Sequence, residues 1–190
     1  GLQTPLLRAN FDLFEVVKKA LKDNRVRLQN KNILVVSGKV VALAEGCIFD
    51  LKQIKVTEKV RRQKISHYGK SHEDPRFVQL VWNEADELFP GDMLLGIKNG
   101  ILAPAAGFDH SNVPSGFAIG WPRDAEKSAR QLCVKLKKHF KLTQLGIIVS
   151  DSSVMPMRRG TVGIALATVG FLAVEDMRDT PDLHNKKLTV

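Results

Sequence analysis

A chain of 190 residues with 44% apolar and 26% charged side chains is long enough to close a hydrophobic core, and its composition excludes disordered, collagen-like and disulfide-scaffold proteins. Its 29 basic against 20 acidic residues leave a formal net charge of +9, which suits an anionic partner: phosphates, polycarboxylates or nucleic acid. Aromatics are only 6% and do not interleave with the clusters at Lys18-Lys19, Lys59 to Lys64 and Lys135 to Lys141, so nucleic-acid binding rests on charge alone and is set aside.

In chain order, Asn10 reads as the cap of a first helix whose apolar positions Leu13, Phe14, Val17 and Leu21 recur every three or four residues, and Asp23-Asn24 ends it. Asn32 to Val41 reads as two strands joined around Ser37-Gly38-Lys39. The continuous apolar run Ile33 to Val36 predicts that the first of them is buried on both faces. A second helix is predicted over Thr57 to Tyr68. A third opens at Asp74-Pro75, where proline's missing N–H costs nothing, and turns Val78, Val81, Trp82 and Ala85 inward. Met93 to Ile97 and Gly100 to Ala103 form a strand pair turning at Asn99-Gly100. Asp124 caps the most regular helix, with Ala129, Leu132, Cys133, Leu136 and Phe140 on one stripe and Arg130, Lys135, Lys137 and Lys138 mostly outside it. Leu145 to Val149 is a buried-type strand that delivers Asp151 at its end, and Thr161 to Val174 predicts one or two further strands. Repeats, low-complexity tracts and linkers are absent, so residues 1–190 are expected to form a single domain. Helices and strands alternate without a βαβ rhythm, which predicts an α+β fold of mixed, largely antiparallel sheets with flanking helices.

Cys47 and Cys133 stand far apart without CxxC spacing, so neither a zinc site nor a disulfide framework is indicated, and both are expected to be buried in a reducing compartment. The longest apolar stretch, Val162 to Val174, is shorter than the roughly 20 residues of a membrane helix, and no signal peptide is recognisable, so a cytoplasmic protein without a membrane partner is expected. The chain opens on Gly1 rather than methionine and closes on the β-prone triplet Leu188-Thr189-Val190, which leads us to expect that the native protein continues.

Two short segments hold most of the chemistry. Gly107-Phe108-Asp109-His110-Ser111-Asn112-Val113 places a carboxylate beside a hydroxyl and an amide, and Ser150-Asp151-Ser152-Ser153 places a second carboxylate among hydroxyls at the end of an apolar run. Such residues also satisfy their own backbone in ordinary turns and caps. Taken together they offer the hard oxygen ligands that magnesium or manganese prefers.

The order of motifs resembles the coenzyme F420 gamma-glutamyl ligase family over nearly the whole chain. Val40 to Gly46 (VVALAEG) is similar to the family's VVSKAEG segment, and Asp74-Pro75-Arg76 with Val78 to a helix opening. Ala106 to Val113 is similar to its NAGID-x-SNV loop, Asp124 with Ser128-Ala129-Arg130 to its DPD-x-SAR helix start, and Ile147 to Ser152 to its IISDT segment. Arg158-Arg159-Gly160 with Val162-Gly163, and then Arg178-Asp179, Asp182-Leu183 and Leu188-Thr189-Val190, follow in the family's order.

The resemblance implies an F420 gamma-glutamyl ligase-like fold and a GTP-dependent enzyme that joins L-glutamate to an acidic acceptor, F420-0 or a folate-type molecule, through an acyl phosphate. It implies that Asp109 and Asp151 are catalytic and bind Mn2+ or Mg2+ with the Ser152 hydroxyl, where the family has threonine. It also implies that Asn112 touches the nucleotide, with backbone from Pro5, Leu6 and Leu7 and from Gly38 and Lys39 beside it, and that the protein is a homodimer. Arg158 or Arg159 could grip a phosphate or carboxylate through its planar fork. The chain departs from the family at Leu43, where the motif has lysine, at Ala105, where it has asparagine, and at Val154-Met155-Pro156, where it has G-R-P. These departures keep a second reading open, a non-catalytic nucleotide- or anion-binding relative that has lost the ligase activity.

Overall fold

The structure is a computed structural model that describes every residue except 64–72, 90, 92, 155–156 and 190. Helix α1 (Leu13–Asp23) leads into strand β1 (Asn32–Ser37), helix α2 (Gly38–Ala44) and strand β2 (Ile48–Asp50). The short helix α3 (Glu58–Arg61) and α4 (Pro75–Glu84) come next, then strands β3 (Glu87–Phe89), β4 (Leu95–Lys98), β5 (Ile101–Pro104) and β6 (Phe117–Ile119). The long helix α5 (Ala125–Phe140) and strands β7 (Leu145–Val154) and β8 (Thr161–Val169) complete the order.

The strands assemble into three small sheets. In β1-β7-β8, β1 runs parallel to β7 while β8 is antiparallel to it; β2-β6 and β3-β4-β5 are antiparallel throughout. The expected α+β class of mixed, largely antiparallel sheets with flanking helices is what the chain adopts. One core packs α1 and α5 against the first sheet through Leu21, Leu132, Leu136, Ile147 and Val149. Another packs α4 against the β4–β5 region through Phe77, Leu80, Val81, Leu94 and Ala106. A small cluster of Ala42, Cys47 and Ile119 lies at the end of α2.

Local chemistry explains most boundaries. Asp74 accepts from the Arg76 N–H with Pro75 in the first turn, and Asp124 accepts from the Lys127 N–H at the head of α5. The β4–β5 turn carries Asn99 and Gly100 both at positive φ, 53° and 74°, the pairing a tight primed hairpin turn requires. Both cysteines are free and buried.

Several sequence expectations are corrected. The cap of α1 is Asp12, whose carboxylate accepts from Phe14 N and Glu15 N; Asn10 sits at φ 62° and donates its N–H to Leu43 O at 2.9 Å. The second strand expected after Ser37-Gly38-Lys39 is instead helix α2, which buries Gly38, Val41 and Ala42 on one face. Strand β1 is an edge strand buried on one face only: Val36 is 7% exposed, whereas Ile33 and Val35 are 52% and 60% exposed. Asp151 lies inside β7 rather than beyond its end, just after a register shift between Val149 and Ser150. Strand β8 stops at Val169, with Gly170 following at φ 91°. The predicted helix Thr57 to Tyr68 is, among the described residues, only the short α3, capped by Thr57 and ended at Arg61; its residues from Lys64 on, like Met155, Pro156 and Val190, lie outside the described residues. No helix among the described residues is long and apolar enough to cross a membrane.

Candidate functional site

A cleft of about 410 Å³ is lined by Ser37 and Lys39 at the β1–α2 junction, by Phe108, Asp109 and Asn112 from the loop after β5, by Trp121, and by Asp151 and Ser152 of β7. The sheet sets this up. The parallel register pairs Ser37 with Ser150, so α2 starts where β1 ends, beside the part of β7 that continues through Asp151 and Ser152 paired with β8. A Cβ added to Gly38 would come 3.0 Å from Leu166 Cδ1 and 3.9 Å from the Asp151 Cβ, so this glycine lets the first turn of α2 lie against β7.

The loop that carries Asp109 is wound tightly. Ala105 and Ala106 are wholly buried and both at φ 48°, a left-handed geometry that costs an L-alanine about 1–2 kcal/mol. Strain of this kind persists where the surroundings over-determine it, and it gathers at binding and catalytic loops. Asp109 is then fixed by a two-way backbone bridge, its N–H to Ile119 O at 2.9 Å and the Ile119 N–H to its carbonyl at 2.8 Å.

The two carboxylates are held by opposite kinds of donor. Asp109 Oδ2 accepts from the Lys39 ammonium and from the Ser111 hydroxyl, while Oδ1 accepts the Ser111 N–H at 2.9 Å, and Lys39 also donates to Ser111 Oγ at 2.8 Å. Burial pushes the Asp109 carboxyl up, but hydrogen bonds from Lys39 and Ser111 outweigh it and hold the group well below the usual carboxylate range. Asp151 Oδ2 instead accepts the neutral indole N–H of Trp121 at 2.6 Å, and among the described residues no donor reaches its Oδ1.

The structure brings Lys39, Asp109, Asn112, Asp151 and Ser152 together, with Gly38 directly behind them. Pro5, Leu6 and Leu7 do not line this cleft, and Leu6 is 93% exposed. Arg158 and Arg159 are exposed and do not line it either. Of the departures, Leu43 packs partly buried on the Ala42, Cys47 and Ile119 cluster, one helical turn beyond Lys39. Trp121, Ser111 and Ser37 were not singled out as site residues. The partners of Trp121 lie far away in sequence, and its sole hint is being one of only two tryptophans, whereas the Ser111 hydroxyl is visible in the sequence beside Asp109.

A divalent cation can be tested against this donor set. Among the described residues no cluster of three or more His, Cys, Asp or Glu side chains forms a cage. Two carboxylates, the Ser152 hydroxyl and the Asn112 amide do, however, line the same cleft, and all are hard oxygen donors. That suits magnesium or manganese, which is commonly held by one or two carboxylates with water and substrate phosphates completing the sphere. The residues present fit the ion.

A sequence profile of the F420-0:Gamma-glutamyl ligase family matches residues 1–190. The chain belongs to that family. It is similar to the coenzyme F420:L-glutamate ligase of Methanopyrus kandleri, 28% identical over 97% of this chain and 70% of the relative. The proteins of the same name from Archaeoglobus fulgidus and Methanothermobacter thermautotrophicus are 32% and 28% identical, covering 98% and 97% of this chain and 72% of each relative. As a family member with Leu43 turned into a core cluster, the chain offers Lys39 as the cationic side chain lining the cleft.

Proposed function

We propose that this protein is a gamma-glutamyl ligase that joins the amine of L-glutamate to a carboxylate acceptor of the F420-0 or folate type, driven by GTP. The observation that supports this reading best is the single cleft in which Lys39, Asp109, Asn112, Asp151 and Ser152 meet in a member of this family. In the reaction, an acceptor carboxylate oxygen attacks the γ-phosphorus and GDP leaves, giving an acyl phosphate. The glutamate amine then attacks the acyl carbon, inorganic phosphate departs and the amine loses a proton. Lys39 stands ready to donate to the phosphate oxygens as charge builds on them, kept in place by Asp109 and Ser111. Asp109 stays ionised because its donors favour the anion. When bound, Mg2+ or Mn2+ would be held by Asp109, Asp151 and Ser152 and would neutralise charge on the transferring phosphoryl group. The Asn112 amide, at φ 61° in the loop, adds a neutral donor and acceptor for the nucleotide.

The reading includes a homodimer and L-glutamate, GTP and the acidic acceptor as partners. The protein, GTP or ATP, Mn2+, glutamate and F420-0 or a pterin acceptor are incubated and the products weighed. A mass gain of one glutamyl residue with stoichiometric GDP is the expected result. The loss of the motif lysine at Leu43 favours the alternative, a non-catalytic relative. Nucleotide binding without product from either acceptor, in correctly folded protein, would select it.

A further inference from the structure

Trp121 touches both walls of the cleft. The bridge between Asp109 and Ile119 sets two neighbouring pairs face to face. The Phe108 ring lies on Gly120, where an added Cβ would come 2.8 Å from Cε1, and the Trp121 ring lies on Gly107, where an added Cβ would come 2.2 Å from Cε2. Gly107 stands at φ 79°, so both its backbone and its missing side chain accommodate the indole. The same indole, 7% exposed, donates from Nε1 to Asp151 Oδ2 across 30 residues of sequence.

We infer that Trp121 is a positioning residue that fixes the Asp151 carboxylate for a divalent cation; this rests on the metal-dependent reading above. The chemistry is specific. An indole N–H is a donor and nothing else, so it fixes one oxygen of Asp151 without bringing a positive charge. Among the described residues the other oxygen of Asp151 has no protein donor, unlike Asp109, whose carboxylate already carries Lys39. Because the ring is clamped on Gly107, two residues before Asp109, the spacing between the two carboxylate-bearing segments is set through one rigid side chain. Partners that orient a ligand in this way typically contribute tenfold to a hundredfold in metal affinity.

The test counts free Mn2+ by electron paramagnetic resonance during titration, with no turnover involved. Four proteins are compared: the unmodified chain, Trp121→Phe, Asp151→Asn and the double substitution. Trp121→Phe should weaken binding about tenfold to hundredfold. In the Asp151→Asn background the same change should add nothing, because the indole acts through that carboxylate. In a Trp82→Phe protein, where Trp121 is the remaining tryptophan, Mn2+ should quench the emission saturably and Mg2+ should not. Replacing Trp121 by its benzothienyl isostere keeps the shape and removes the N–H, so it should reproduce the Phe result if packing is intact. Normal affinity in the Phe and isostere proteins, or additive effects in the double substitution, would overturn the positioning role while leaving the metal reading standing. Absence of Mn2+ binding by the unmodified protein, with and without GTP, would overturn both.

Discussion

Lys39 carries more of the functional reading than any other side chain. Among the described residues it is the cation lining the cleft, it is fixed by Asp109 and Ser111, and it stands one helical turn before Leu43, whose aliphatic side chain packs on a core cluster. Removing a charge-assisted contact of this kind costs about 1.5–3 kcal/mol, so Lys39→Ala should lower GTP affinity roughly tenfold to hundredfold by calorimetry. An unchanged affinity would assign the phosphates to metal and backbone alone. The same pair has a pH signature. Asp109 is depressed below its ordinary value of 3.8, so its ionised form stabilises the fold above that pH and loses this contribution as pH falls below it. Urea melts should therefore show a stability gap between the unmodified protein and Lys39→Met that is steady from neutral pH down to about 4 and closes in stronger acid. A gap that persists undiminished near pH 2 would mean that packing of the lysine stem, not the ion pair, is what was removed. Lys39, Asp109, Asn112, Asp151 and Ser152 were legible because they stand in short ordered motifs. Trp121 was not, since its partner is 30 residues away and no local pattern announces a long-range hydrogen bond.

Among the elements, the misread ones share a cause. The segment from Gly38 to Ala44 is rich in β-branched and apolar residues, and such a run does not distinguish strand from buried helix by periodicity alone. Tertiary packing decides: Gly38 admits the close approach to β7, and Val41 and Ala42 fill the core. For α1, the sequence points to Asn10 as the cap, but Asp12, two residues on, has the extended φ and ψ of −74° and 112° that a cap needs, whereas Asn10 is left-handed. Asp12→Ala should accordingly cost about 0.5–2 kcal/mol in thermal or urea melts. Asn10→Gly, which suits a φ of 62°, should leave helix content unchanged by circular dichroism. A larger loss from the Asn10 change would restore it as the cap. Gly107 offers a sharper case. Alanine there would be strained at φ 79° and would drive its methyl into the Trp121 ring, and the two penalties together make a loss above about 3 kcal/mol the expectation in denaturant melts. A near-neutral Gly107→Ala would show that the indole moves away freely, contrary to its clamped position.

For the molecule as a whole, the fold class followed from the sequence because helix and strand patterns without a βαβ rhythm leave few packings, whereas sheet order was hidden because β1 pairs with a strand more than 100 residues later. That long-range order places β1 and β8 at the two edges of one sheet. Open edges are a liability that proteins cover or pair. Here the β1 edge also presents Ile33 and Val35, both more than half exposed. The homodimer expected from the resemblance would cover such surfaces symmetrically, each copy giving the same patch. Sedimentation equilibrium at micromolar concentration should therefore return about twice the 21.1 kDa chain mass. Val35→Lys, on the exposed face of β1, should shift the protein toward monomer while circular dichroism stays unchanged, because an ammonium is tolerated at a solvated edge but not between two apolar faces. A monomer in the unmodified protein would end the homodimer reading. A dimer indifferent to Val35→Lys would keep the assembly and move its interface away from β1, leaving the β8 edge as the surface to substitute next.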